Sequence, residues 1–285
     1  MFKKYILSSL AAIALSFAVS CDNTTEDPPN QNNNNNSSTG ATITGPRILS
    51  KITSGNVNIE EYITNSGFLS QAFIRDVASS NTITATVTYA GDKISKIKYQ
   101  DNVNPHVIDN LYTLTYDSGK LSGITMDQTA MSITNHSDFT VYYDANGQLY
   151  RIVEKKKLGS TTNYTHYMEY KFTFAANNVA KLDHTTMLMS GGNPDTSTAT
   201  TTSYAYDNYD SKINPYKTLP KEYFIVTGTL FTVNFSWLSS NNPGKITLIN
   251  PTGQPVSVPK GYLYDTQNYP VSDQGQAIKY VYKPL

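Results

Sequence analysis

Aromatic residues recur along this chain at intervals that leave few folds open to it. Tyr62, Tyr89, Tyr116 and Tyr143 are each separated by 27 residues, and Phe174, Tyr206, Phe235 and Tyr264 continue at intervals of 31, 32, 29 and 29. Self-similarity of this kind marks stacked supersecondary units. The text around the anchors repeats as well. Val87-Thr88-Tyr89 to Ile94-Ser95-Lys96-Ile97, Leu114-Thr115-Tyr116 to Leu121-Ser122-Gly123-Ile124, and Val141-Tyr142-Tyr143 to Leu149-Tyr150-Arg151-Ile152 are three copies. Phe172-Thr173-Phe174 to Val179-Ala180-Lys181-Leu182 is a weaker fourth.

Each copy reads as a β-hairpin. Before the anchor, Ile83, Ala85, Val87 and Tyr89 alternate with Thr82, Thr84, Thr86 and Thr88, the period of a half-buried strand. Four or five turn residues follow, rich in Asp, Asn and Gly; Asn146-Gly147 offers the positive φ angles of a tight hairpin. In the second strand the apolar residues stand three apart: Ile94/Ile97, Leu121/Ile124, Leu149/Ile152 and Val179/Leu182. That spacing breaks strand alternation and predicts a β-bulge just after each turn.

Eight such units predict an all-β chain, a sequential antiparallel meander of about sixteen strands. So long a sheet twists and curls, here into a barrel-like roll, with a β-sandwich as the alternative. A propeller is disfavoured, since its blades need about 40 residues each. No helix of ordinary length is visible. Gly191 to Asp195 with Thr196 to Thr202 reads as a flexible loop, and Asn250 to Pro259, with Pro251, Pro255 and Pro259, as a second one. Loops of this kind are candidate binding segments.

The N-terminus predicts export. Lys3 and Lys4 precede an apolar run from Tyr5 to Val19. Fifteen residues span roughly 22 Å as a helix, short of a ~30 Å hydrocarbon core, so residues 1–20 read as a signal peptide. Residues 21–44 read as a tether: Pro28-Pro29 and the run Asn32 to Asn36 cannot bury enough apolar surface to fold. Its r.m.s. span is about 25–30 Å. Residues 45–285 form the single folded domain. Without Lys3 and Lys4 the remainder is two charges acidic, which gives no electrostatic case for nucleic acid. Its single cysteine, Cys21, excludes an intrachain disulfide. The 22 tyrosines and the many threonines suit a pleated surface.

Three resemblances follow from these residues. Ala18-Val19-Ser20-Cys21 resembles the lipobox of bacterial lipoproteins. That implies diacylglyceryl transfer to the Cys21 thiol, signal-peptidase cleavage between Ser20 and Cys21, and acylation of the new amino terminus. Two or three chains make a stable anchor where one does not. Asp22, Glu26 and Asp27 are similar to surface-export signals of Bacteroidetes lipoproteins, which implies an outer-membrane anchor, facing outward in preference to the periplasm. The Tyr-Asp-x-x-Gly-Lys/Gln-Leu-x-x-Ile text resembles the YD repeat. Over residues 47–285 the chain is similar to uncharacterised Bacteroidetes lipoprotein domains with degenerate copies of it. Asn214-Pro215-Tyr216 and Tyr262-Leu263-Tyr264-Asp265 fit that pattern. The resemblance implies an all-β meander and carries no activity.

Catalytic motifs are sparse. His106, His136 and His166 stand 30 residues apart, out of step with the 27-residue repeat, and His184 follows; no carboxylate or cysteine at ligand spacing joins them, so no metal or other cofactor is expected. No Gly-x-Ser-x-Gly elbow occurs. Glu60, Glu61, Glu154, Glu169 and Glu222 could form a glycosidase pair only if the fold brought two together. Asp207-Asn208-Tyr209-Asp210 lacks the glycine and glutamate of a calcium loop. The anchors Tyr89, Tyr116 and Tyr143 read as packing residues with their hydroxyls at the edge, and Trp237 as either core or platform. The leading expectation is a non-enzymatic, membrane-tethered domain that binds or scaffolds a glycan or protein outside the cell. The alternatives are a glycan-binding or glycan-active protein, and a periplasmic carrier of apolar cargo, which requires a large apolar cavity.

Overall fold

A computed structural model describes residues 46–75, 81–103, 108–130, 133–230 and 235–285. Cys21, Ser20, the signal peptide, the tether and His106 lie outside the described residues. Among the described residues the chain forms seventeen strands in one antiparallel sheet. They are β1 (Arg47–Ser54), β2 (Val57–Asn65), β3 (Phe68–Arg75), β4 (Thr82–Ala90), β5 (Lys93–Asp101), β6 (Asp109–Asp117), β7 (Lys120–Ala130), β8 (Ile133–Tyr143) and β9 (Leu149–Lys157). The remainder are β10 (His166–Ala175), β11 (Asn178–Ser190), β12 (Asn193–Asp207), β13 (Lys245–Ile249), β14 (Val256–Pro259), β15 (Tyr262–Tyr264), β16 (Pro270–Asp273) and β17 (Ile278–Pro284). Each strand from β1 to β13 pairs with the next, and so do β15, β16 and β17. The last strand, β17, returns to pair with β1. The ladder is not closed: β14 and β15 do not pair, and the chain crosses between them through Lys260-Gly261. The meander and its curl are as the repeat predicts, in one sheet.

The spacing of three has the predicted cause. In β4–β5 the register slips between Thr88 and Tyr89, so that Ser95 is the extra residue. Equivalent slips leave Ser70, Ser122, Tyr150 and Ala180 unpaired in β3, β7, β9 and β11, and Ser50 in β1 against β17. The bulge returns the residue three places on to the inner face. Ile94 and Ile97, Leu121 and Ile124, and Leu149 and Ile152 are all buried. Where the extra residue is serine, its hydroxyl donates to a carbonyl of the opposite strand: Ser50 to Val281 at 2.9 Å, Ser70 to Ile63 at 3.0 Å, Ser95 to Thr88 at 3.1 Å and Ser122 to Thr115 at 3.3 Å. Most turns are tighter than predicted, while Asp144 to Gln148 between β8 and β9 keeps the predicted five residues. Ser118-Gly119 alone joins β6 to β7, both residues at positive φ (50° and 81°), the geometry that matches strand twist.

Three expectations are overturned. First, a helix exists: α1 (Lys221–Leu230), flanked by 3-10 turns at Pro215–Thr218 and Phe235–Leu238. Tyr223, Phe224, Ile225, Val226, Thr227 and Gly228 are all buried. A helix apolar all round must be enclosed, and it is. Tyr223 meets Tyr62 of β2 and Tyr99 of β5 at ring-centroid distances of 6.3 and 6.5 Å. Phe235 meets Phe172 and Tyr170 of β10 at 4.9 and 5.8 Å. The helix therefore fills the interior of the roll. Its short apolar text resembles a buried strand, which is why periodicity alone misses it.

Second, the eight anchors are not one structural position. Tyr89, Tyr116, Tyr143 and Phe174 each follow a bulge, but in β2 that place belongs to Thr64. Tyr62 sits two residues earlier, equivalent to Val87, Leu114, Val141 and Phe172, and is buried. Tyr206 is a buried residue of β12 opposite Ile246. Tyr264 follows a slip in β15. Phe235 belongs to no strand; it plugs the interior beside α1. Third, Thr196 to Thr202 is not a flexible loop but part of β12, turning only at Gly191-Gly192. Of the other predicted loop, Val256 to Pro259 is strand β14.

Candidate functional site

The anchors equivalent to one another gather at the hairpin end of the roll and interlock there. In each unit the residue just past the turn leans on the anchor of the next. Phe68 meets the Tyr89 ring edge-on at 5.0 Å, Lys93 Nζ lies 5.6 Å over Tyr116, and Lys120 Nζ lies 5.5 Å over Tyr143. Lysine over a phenol is a cation–π contact; phenylalanine there replaces it with an aromatic pair. The Tyr116 hydroxyl donates to the Ile94 carbonyl at 2.8 Å. The three tyrosines are half-buried and pack against the core from its rim, so their structural role is real but leaves a face open.

The start of α1 rises into this rim. Its first turn carries Glu222, an acid where the helix dipole favours one. A cleft of about 300 Å³ opens between the helix and the wall, lined by Phe68, Tyr89, Asp92, Lys93, Tyr116 and Glu222. Burial, and then the nearby Glu222 carboxylate, push the Tyr143 phenol up to about 12 and the Tyr116 phenol higher. Burial and Glu222 likewise raise Tyr89, against an opposing contribution from the Leu69 backbone. These phenols are therefore protonated donors at any physiological pH. The Tyr89 hydroxyl is shielded from solvent and completes no hydrogen bond of good geometry. Phe68 is 45% exposed. The site thus offers an open aromatic ring, carboxylate acceptors and an ammonium within one small cleft, while the Tyr116 proton is already committed to Ile94.

The other sequence candidates are dispersed. His136 bridges Asp127 and Asp138 at 2.7 and 3.2 Å on the outer wall, and these hydrogen bonds raise its pKa against a small burial cost. His166 bonds Thr165, and His184 stacks on Tyr170 at 4.6 Å. Among the described residues no three His, Cys, Asp or Glu side chains converge on a metal position. Glu61 accepts from Asn58 and Glu169 pairs with Arg151. Glu154 lies inside the roll with one donor, Ser137, at 2.7 Å; burial raises its pKa above the ordinary carboxylate value. Glu60 accepts from Tyr62 at 2.6 Å. Asp207 pairs with Lys245, while Asp210 accepts from Tyr264 and the Lys212 amide, which makes that segment a folded joint. Trp237 packs inside against Phe224 and Tyr216. Neither predicted loop belongs to the cleft. Phe68 escapes sequence reasoning, and Glu222 enters it only as an unpaired carboxylate, because the cleft needs the helix, and the repeat hides the helix.

No protein-family model matches this chain, and no curated protein matches it. Solved structures are similar to it, among them two porin-like proteins. A porin-like protein from Bacteroides vulgatus ATCC 8482 is 13% identical over 84% of this chain and 100% of its own, with a TM-score of 0.51. A porin-like protein from Bacteroides uniformis ATCC 8492 is 12% identical over 84% of this chain and 98% of its own, at 0.44. The first of these likenesses is one of fold: a long antiparallel meander, rolled and incompletely closed.

Proposed function

We propose that this protein is an exported β-roll, tethered to the outer membrane through lipid on Cys21, that binds a ligand at its hairpin end. The observation that carries this reading is the occupied interior. A pore needs a lumen and a carrier of apolar cargo needs a cavity, whereas here α1 and Phe235 fill the space. The outer wall argues the same way. A membrane-spanning barrel presents an apolar band about 25 Å tall to lipid. This wall exposes Thr86, Lys96, Thr115, Asp127, Lys155 and Lys171 from successive strands instead. Among the described residues no helix is long and apolar enough to cross a membrane either. The porin-like proteins support a place at the outer membrane; the tether supplies the means without a spanning wall.

The test is fractionation of cells making the full chain or its Cys21→Ser variant. The full chain should partition with outer membranes and incorporate labelled fatty acid; the variant should do neither. Detergent-purified full chain should give no conductance in planar bilayers. Membrane retention of Cys21→Ser through its wall, or stable channels, would overturn the reading.

A further inference from the structure

We infer that the rim cleft is a carbohydrate site that takes the terminal pyranose ring of a glycan. This rests on the binding reading above and names its ligand class. A pyranose has two kinds of surface, an apolar face of C–H groups and an equatorial rim of hydroxyls that both donate and accept. The cleft matches both. Phe68 stands open at its mouth, held edge-on by Tyr89, and an aromatic face is electron-rich where C–H groups are electron-poor. Beside it, Glu222 and the exposed Asp92 accept without donating, and Lys93 donates without accepting. A set of fixed acceptors beside fixed donors discriminates hydroxyl-bearing ligands from isosteres lacking them. The cleft's 300 Å³ stands at the small end of ligand sites, enough for one ring and part of a second. Acids and base of both signs line it, which favours a neutral sugar over a strongly anionic one.

The geometry also shows how this unit differs from the next two. Phe68 occupies the position filled by Lys93 and Lys120 in the next two units. An exposed apolar ring there, in place of a solvated ammonium, has no structural need behind it: Lys93 and Lys120 seat their neighbouring tyrosines equally well.

The experiment is glycan-array binding by the purified full chain in detergent, followed by saturation-transfer NMR and calorimetry with the best pyranoside and with sorbitol, an open-chain polyol. Wild type should bind at least one pyranose-terminated glycan and not sorbitol. Phe68→Ala and Glu222→Gln should each weaken binding at least tenfold at unchanged unfolding midpoints, and Phe68→Tyr should restore it. Should either variant unfold, hydroxyl-radical footprinting of wild type decides: ligand must protect Phe68 and Tyr116. Absence of binding across the array, protection elsewhere, or binding kept within twofold in both folded variants would overturn the assignment. Cys21→Ser protein separates the two proposals, because it should lose the membrane and keep the sugar.

Discussion

The wall from β2 to β11 and the insert from Asn208 to Gly244 solve the same problem in opposite ways. In the wall, the backbone ladder supplies the order. Each hairpin repeats one bulge, one turn and two inward apolar residues, and single side chains vary between copies without consequence: the bulged residue is Ser70, Ser95, Ser122, Tyr150 or Ala180. Among its described residues the insert has no strand, only α1 and two 3-10 turns, and side-chain amides stand in for a ladder. Asn214 donates to the Ser236 carbonyl at 3.0 Å, Asn241 to Lys212 at 2.8 Å and Asn242 to Ile213 at 3.1 Å, while Asn178 of β11 accepts from the Asn241 amide at 2.9 Å. Buried backbone groups must find partners; where periodicity cannot supply them, specific residues do. The wall should therefore tolerate substitution, and the insert should not.

Substitutions can break that contrast. Phe235→Ala empties the centre of the plug and should cost about 3–5 kcal/mol, read as a shifted urea midpoint at constant slope. A loss no larger than that from Ile124→Val in the wall, roughly 0.5–1.5 kcal/mol, would show the plug to be dispensable. Next, Gly228→Ala should destabilise by about 1–3 kcal/mol, although alanine is the better helix former by ~1 kcal/mol. A β-carbon there would stand 2.6 Å from Phe235 Cε1. A stabilised variant would mean that α1 is not pressed against Phe235.

The interior acid sharpens the comparison through pH. Burial raises the Glu154 pKa in the folded chain, so the folded state holds its proton longer than the unfolded one. Its contribution is fully present below the ordinary carboxylate range and is lost as pH rises through the folded value. Glu154→Gln should flatten the stability profile over that rise; an unchanged profile would place the titration elsewhere. The smallest effect belongs to the wall. Ser95→Ala removes an exposed hydrogen bond to Thr88 and should cost about 0.5–1 kcal/mol by thermal melt, leaving the register intact.

What could be read beforehand divides along the same line. Alternation at Ile83, Ala85 and Val87, and the triplet spacing of Ile94 and Ile97, are consequences of backbone geometry, so sequence displays them directly. The insert displays nothing comparable. Tyr223 to Val226 is one apolar run, equally consistent with strand or helix, and its enclosure depends on strands more than a hundred residues earlier in the chain: Tyr62 of β2 on one side, Tyr99 of β5 on another. The equal interval from Tyr62 to Tyr89 even misleads, since the β2–β3 unit is two residues shorter between equivalent positions. The cleft inherits this blindness, because most of its lining comes from the periodic wall but Glu222 comes from the helix.

The return of β17 onto β1 sets the order in which the molecule can be made. Arg47 at the head of β1 is wedged between the rings of Tyr269 and Tyr282, 4.4 and 5.8 Å from their centroids, and paired with Asp265 at 2.6 Å. All of those partners lie 218 residues or more further along the chain. Until they arrive the first strand has one flank bare, and the nascent chain exposes a growing edge that invites pairing with strangers. Assembly thus waits on the segment from Asp265 to Tyr282, and a chain clipped just before Tyr280 would lose the Tyr282 side of that clasp while keeping nearly every hairpin.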